Sequence, residues 1–180
     1  MRVDLKDVNN FKRFLLAGGV ATTVVLSSGV AANAAGYPNY PAPKTFGTTL
    51  QADPGHDFTK HISPRHNGVL RGWVTYVSGT TVEYEPIKWK KGTQTEGWFV
   101  GPPKNDAMAY SSRVAKDVVF LSASGCKVSG GEPTLARSTG LGAKRCSRTV
   151  LLKRYARSGQ PSLITVYRGE IVKVQEIFTP

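Results

Sequence analysis

Val69-Leu70-Arg71-Gly72-Trp73-Val74-Thr75-Tyr76-Val77, then Ser78-Gly79, then Thr80-Thr81-Val82-Glu83-Tyr84-Glu85 is the stretch whose reading decides the fold. The first run is apolar and β-branched, with two aromatics, and suits a pleated, half-buried surface. The second alternates, with Val82 and Tyr84 on one face and Thr81, Glu83 and Glu85 on the other. A period of two marks a strand with one face in a core. Ser78-Gly79 supplies the turn, so the pair is expected as a hairpin. Pro86 has no N–H and is expected to end regular pairing. Ile87 and Trp89 are expected to pack as the chain leaves the strand.

Downstream, the β signal continues in short pieces. Gly97 to Val100 reads as a strand closed by Gly101-Pro102-Pro103, Ala107 to Tyr110 as another, and Val118 to Leu121 as a buried one. Ser111 to Asp117, between them, is too short for a stable isolated helix. Thr149 to Ala156 is expected as a strand and Leu163 to Tyr167 as the next. Arg168-Gly169-Glu170 then turns the chain into Ile171 to Phe178, with Val172, Val174 and Phe178 on one face. One short helical turn is expected near Pro133 to Ser138, and no helix of ten residues or more follows the leader. Short strands with Gly-rich turns predict a mainly β fold, a small antiparallel barrel or sandwich. Barrel closure would remove exposed sheet edges.

Upstream, residues 35–68 read as an irregular N-terminal arm. Tyr37-Pro38-Asn39-Tyr40-Pro41-Ala42-Pro43 holds too many prolines for a helix or a central strand. A polyproline-like or disordered spacer is expected. Residues 1–34 have the three parts of a secretory signal peptide. Arg2, Lys6, Lys12 and Arg13 come first, then the apolar run Phe14 to Val30, then Ala31-Ala32-Asn33-Ala34-Ala35. Cleavage is expected after Ala34, with Ala35 as the alternative. A retained membrane anchor is the rival, since the run is about long enough to just span a bilayer. Cleavage would leave no transmembrane anchor and a secreted, extracellular chain, with residues 69–180 as a single β domain.

The chain carries 24 Lys and Arg against 12 Asp and Glu, and the part after residue 34 keeps 20 against 10. The positive charge therefore belongs to the exported part. Such a domain is drawn to anionic surfaces, which outside a bacterial cell are teichoic acids, lipid headgroups, acidic polysaccharide or released DNA. The competing reading is charge that serves solubility alone. Cys126 and Cys146 form an even count in an exported chain, which predicts a disulfide bond. It would close a Gly-, Ser- and Thr-rich loop of about 20 residues, worth about 3 kcal/mol in the chain-entropy picture. Zinc on the two thiolates is disfavoured, because no His lies in or near the loop.

Three pieces of sequence resemble small exported β-rich domains of actinobacteria whose function is uncharacterised. One is Gly72-Trp73-Val74 followed by Thr81 to Trp89 and Gly92. Another is Asn105 to Tyr110 leading into Val118 to Leu121. The third is Gly169 to Val174 ending in Glu176-Ile177-Phe178. The resemblance spans about 110 residues, nearly all strand and turn positions. It implies a secreted, non-catalytic β module and transfers no catalytic residue.

Chemistry-bearing residues are few. His56, His61 and His66 fall in the arm beside Asp53 and Asp57, and imidazoles with carboxylates are what zinc or copper needs. A spacing of five fits neither a helix face nor a strand face, so these residues are read as solvated and no metal or other cofactor is assigned. Glu83 and Glu85 share a strand face, whereas glycoside hydrolysis needs carboxylates facing each other across a cleft. No G-x-S-x-G elbow, phosphate loop or dinucleotide fingerprint occurs, so no catalytic residue is named.

Basic residues carry more weight. No acid lies between Glu132 and Glu170, but Arg137, Lys144, Arg145, Arg148, Lys153, Arg154, Arg157 and Arg168 do. Lys88, Lys90 and Lys91 bracket Trp89, a pattern suited to polyanion or sugar contact by charge and stacking. The candidate ligand-binding residues are Lys88, Trp89, Lys90, Lys91, Lys144, Arg145, Arg148, Lys153, Arg154 and Arg157. The expectation is a secreted, non-enzymatic domain that contacts an anionic envelope partner through a basic face. The alternatives are a protein-interaction or inhibitor-like module using the stapled loop, and a small hydrolase.

Overall fold

The computed structural model describes residues 36–93, 96–106, 108–137 and 139–179. The expected signal peptide, residues 1–34, lies outside the described residues. Among those described, no helix is long and apolar enough to cross a membrane.

The hairpin forms as its alternation dictates. β1 (Gly68–Ser78) pairs antiparallel with β2 (Thr81–Pro86), and Val82 and Tyr84 are buried on the inner face. Pro86 still sits opposite Gly72, at the end of the ladder. A two-stranded ribbon follows, β3 (Lys88–Lys90) with β4 (Trp98–Val100). The strand expected over Val118 to Leu121 is the second half of one long strand, β5 (Tyr110–Ser122), with an irregular register between Val114 and Val119, whereas of the strand expected over residues 107–110 only Tyr110 is extended and Met108 and Ala109 are loop. Lys116 and Asp117 stand exposed at this irregularity, while Val114, Val118 and Phe120 point inward.

After β5 come β6 (Lys144–Cys146), α1 (Arg148–Tyr155), β7 (Ser162–Tyr167) and β8 (Glu170–Glu176). The sheet runs β2-β1-β7-β8-β5, and β5 pairs back onto β2, so the five strands close a barrel with β6 added beside β5. The β5–β8 junction is parallel and the other four are antiparallel. A parallel pair needs a long crossover, and the segment holding β6, α1 and β7 supplies it. Arg168 and Gly169 both have positive φ, 51° and 78°. Positive φ at both positions is the two-residue hairpin turn whose twist matches the strands.

Three local expectations are corrected. Thr149 to Ala156 is helical rather than extended. Ser147 caps the helix by accepting from Val150 N–H (3.3 Å), and Leu151 and Tyr155, four apart, enter the barrel core together. Among the described residues of the helical turn expected near Pro133 to Ser138, 133–137 are not helical. Leu135 bridges Gly142 there, and Ala136 N–H donates to Leu141 O (2.8 Å). In β8, Thr165 pairs with Lys173 and Val166 with Ile171, so Val172 is the extra residue of a bulge. The bulge resets the alternation, and Ile171 and Val174 are the buried pair.

Inside the barrel lie Leu70, Val74, Val82, Tyr84, Tyr110, Phe120, Ile164, Val166, Ile171 and Val174. A second apolar cluster lies apart from it: Ile87, Phe99, Leu163 and Ile177, with Val69, Trp73, Trp89 and Leu141 packed against them. Cys126 and Cys146 are bonded, with Cα atoms 5.3 Å apart.

Residues 36–67 contain no helix or strand, yet they wrap the barrel. Tyr37, Asn39, Tyr40 and Ala42 roof a cavity of about 100 Å³ whose floor is Val69, Leu163, Thr165, Lys173 and Gln175. Arg71, on the outer face of β1, is the clasp. Its guanidinium donates to Lys44 O (2.5 Å), Thr49 O (2.6 Å) and Ile87 O (3.0 Å), and Gln51 accepts from its backbone N–H. Burial pulls its pKa below the usual arginine range. Methionine at position 71 keeps the apolar stem and leaves those carbonyls without their donor, at a cost of about 2 kcal/mol or more. Limited proteolysis of Arg71→Met is expected to cut within 36–67 faster than in the parent chain, with the barrel surviving. Equal protection of the arm would refute the clasp.

Candidate functional site

Two surfaces hold the sequence-predicted ligand residues. On the β3–β4 ribbon, Trp89 is opposite Phe99 and Lys90 is opposite Trp98. The Trp89 ring is half-buried, edge-on to Phe46 (4.9 Å between centroids) and to Phe99 (5.0 Å). Gly97 has φ of 120°, and a Cβ there would sit 2.7 Å from the Trp89 ring, so glycine alone lets β4 approach. Trp98 points outward and is 46% exposed, with Lys90 Nζ 5.2 Å from its ring centroid. Phe46 is also exposed. Lys90 and Lys91 are exposed and Lys88 is half-buried.

Trp98 and Phe46 were not among the expected site residues. For Trp98 the signal was available: in Gly97-Trp98-Phe99-Val100, an inward Phe99 forces Trp98 outward. Phe46 had no such signal, because it reaches the ribbon only through the folded path of the arm.

The second surface is β6 with α1. Lys144, Arg145, Lys153 and Arg157 are exposed. Arg148 is half-buried, donates to Val114 O (2.6 Å), and with Arg113 and Lys116 lines an open cleft of about 380 Å³ that also contains Thr80, Asp117 and Glu170. Arg113 and Lys116 are further cations beyond the expected set. Gly140 lies against the Phe46 ring, and four extended residues, at most about 14 Å of chain, lead from it to Lys144. The disulfide-bounded loop thus connects the two surfaces.

Arg154 leaves the set. It is 4% exposed and paired with Glu176 (2.8 Å), itself 3% exposed. It also donates to Ser122 Oγ (2.6 Å), Gly125 O (2.7 Å) and Lys127 O (2.5 Å). A helix face carrying Arg154 beside Tyr155 and Leu151 places the guanidinium inside, where it ties α1 to β8 and to the disulfide loop.

Glu83 and Glu85 are both half-buried on β2, and Glu85 Oε1 accepts from the Trp73 indole N–H (2.6 Å). In the arm, Asp53, His56 and His66 converge, which the spacing of five did not suggest. Asp57 stays apart, accepting from Thr59 N–H (3.0 Å) and Thr59 Oγ1 (2.6 Å) and pairing with Lys60 (3.3 Å). Compared with family models, curated proteins and solved structures, the chain matches none of them.

Proposed function

We propose that this is an exported, non-enzymatic barrel domain that holds an anionic polymer of the cell envelope on its lysine-and-aromatic ribbon. The carrying observation is outward Trp98 with Lys90 over its ring, beside Lys88, Lys91 and exposed Phe46. An outward tryptophan ring costs solvation, whereas a flat ring next to ammonium groups suits sugar or phosphodiester repeats. The cations of β6 and α1 extend the field along the route of the disulfide-bounded loop.

The test is binding to a poly(glycerol phosphate) polymer as salt is raised. If four cations engage phosphates, affinity should fall about 100-fold between 50 and 200 mM salt. The Lys90→Ala/Lys91→Ala pair should weaken binding and flatten that dependence. Trp98→Ala should weaken it with the salt slope kept. Affinity unchanged across that range, or unaltered by all three substitutions, would refute the reading.

A further inference from the structure

We propose that Asp53, His56 and His66 form a binding site for one zinc ion. Their ligand atoms all lie within 4.8 Å of one another. His66 Nδ1 is 3.0 Å from Asp53 Oδ1, and His56 Nδ1 is 3.7 Å from Asp53 Oδ2. Four-coordinate zinc with bonds near 2.1 Å holds its donors about 3.4 Å apart, so the His66–Asp53 pair would open by a few tenths of an ångström and the widest pair would close by up to about 1.4 Å. Two imidazoles and one carboxylate are a zinc-type donor set, while magnesium and calcium take oxygen.

Burial separates this trio from an ordinary surface cluster. The Asp53 side chain is 4% exposed and that of His56 5%. Among the described residues no Lys or Arg pairs with Asp53. Its carboxylate meets the two imidazoles and the His66 N–H, which donates to Oδ2 (3.2 Å). Buried carboxylates are paired with cations or bind metals, and a divalent ion would supply the missing charge.

A second observation points the same way. Tyr110 packs its ring 4.8 Å from that of His56, and its wholly buried hydroxyl has no hydrogen-bond partner. Native interiors rarely leave such a hydroxyl unpaired, and a ligand completing the metal's shell would answer it.

The site has a way in. The His66 side chain is 62% exposed. A cavity of about 70 Å³ beside His56 is lined by Phe58, Lys60, His61, Ile62 and Ala109. Three protein donors leave one position for solvent or for an outside ligand. The ion would also bind the arm, through Asp53 and His56, to the residue two before β1.

The experiment uses the untagged full chain, stripped with chelator and titrated calorimetrically with Zn²⁺. Metal retained through gel filtration is then counted by elemental analysis. One zinc per chain is expected, undisturbed by excess Mg²⁺. His66→Ala, at the exposed donor, should weaken binding at least about tenfold without changing the near-ultraviolet circular dichroism. Asp57→Asn, the arm carboxylate outside the trio, should leave binding intact. Sub-stoichiometric zinc, zinc uptake indifferent to His66→Ala, or equal loss in Asp57→Asn would each overturn the assignment.

Discussion

Arg154→Ala is expected to destabilise the barrel by about 3–5 kcal/mol, the cost of leaving a buried charge without its partner. Arg154 and Glu176 are almost fully enclosed, so neither can turn to water when the other is removed. Glu176 would keep two donors, Ser122 Oγ and Ala123 N–H, each at 2.8 Å. It would lose the only cation paired with it among the described residues. Gly125 O and Lys127 O would lose theirs as well, next to Cys126. Urea denaturation should show a lower midpoint with the slope kept. Arg154→Met, which keeps the aliphatic stem and removes the guanidinium that lies over the Phe120 ring, combined with Glu176→Gln should cost less than the sum of the two changes, because the second removes the charge that the first strands. A loss below about 1 kcal/mol for Arg154→Ala would show that water reaches the pair.

The same residue explains why the helix was not legible. Arg148 to Tyr155 has Thr and Val in its first turn, no acid there, and an arginine on its buried face. Apolar positions alone do not draw a helical stripe when a guanidinium occupies part of it. The hairpin was legible because β2 meets the core on one face only, and Thr81 to Glu85 obey that without exception. β5 was legible over Val118 to Leu121 and blank before that, where exposed Lys116 and Asp117 mark the distorted register. In β8 the period slips by one at Val172, and a single bulge is invisible to a fixed alternation.

The candidate sites divide similarly. Lysines beside Trp89 stand together in sequence and remain together on the ribbon. The grouping of Asp53, His56 and His66 depends on how the arm is led around the barrel by Arg71, Gln51 and the contact of Phe58 with Tyr110 (5.2 Å between rings). No local pattern encodes that route. Composition could supply the residue types and only the folded path could supply their convergence.

Alkaline pH should unfold this domain steeply, through phenols in the core. Tyr84, Tyr110 and Tyr155 are buried, and desolvation is the leading cause raising each phenol above its ordinary value near 10. The charge of Asp53 adds to the rise at Tyr110 and that of Glu176 at Tyr155. At Tyr84 and Tyr155, hydrogen bonds with Ser112 and Ser162 offset part of it. A group whose folded pKa lies above the unfolded one contributes stability that is complete below the unfolded value. That stability drains as pH rises, because the unfolded chain releases protons that the native state keeps. Tyr110 and Tyr155 each contribute a slope of about −1.4 kcal/mol per pH unit above pH 10, so the two remove about 4 kcal/mol by pH 11.5, and Tyr84 adds to the fall in the same direction. Lys173 acts the other way. Its pKa is lowered by burial, so the strain of keeping it charged is relieved as pH climbs through its folded value toward the ordinary lysine value. One half-buried lysine offsets only part of three phenols. Denaturation midpoints taken at steps from pH 9 to 11.5 should therefore fall with increasing steepness. Tyr110→Phe, which removes a hydroxyl without a partner, should leave the metal-free chain near parental stability at pH 8 and flatten the alkaline limb by about a third to a half. Stability level to pH 11.5 would mean that these phenols ionise in the folded state, contrary to their burial in the barrel.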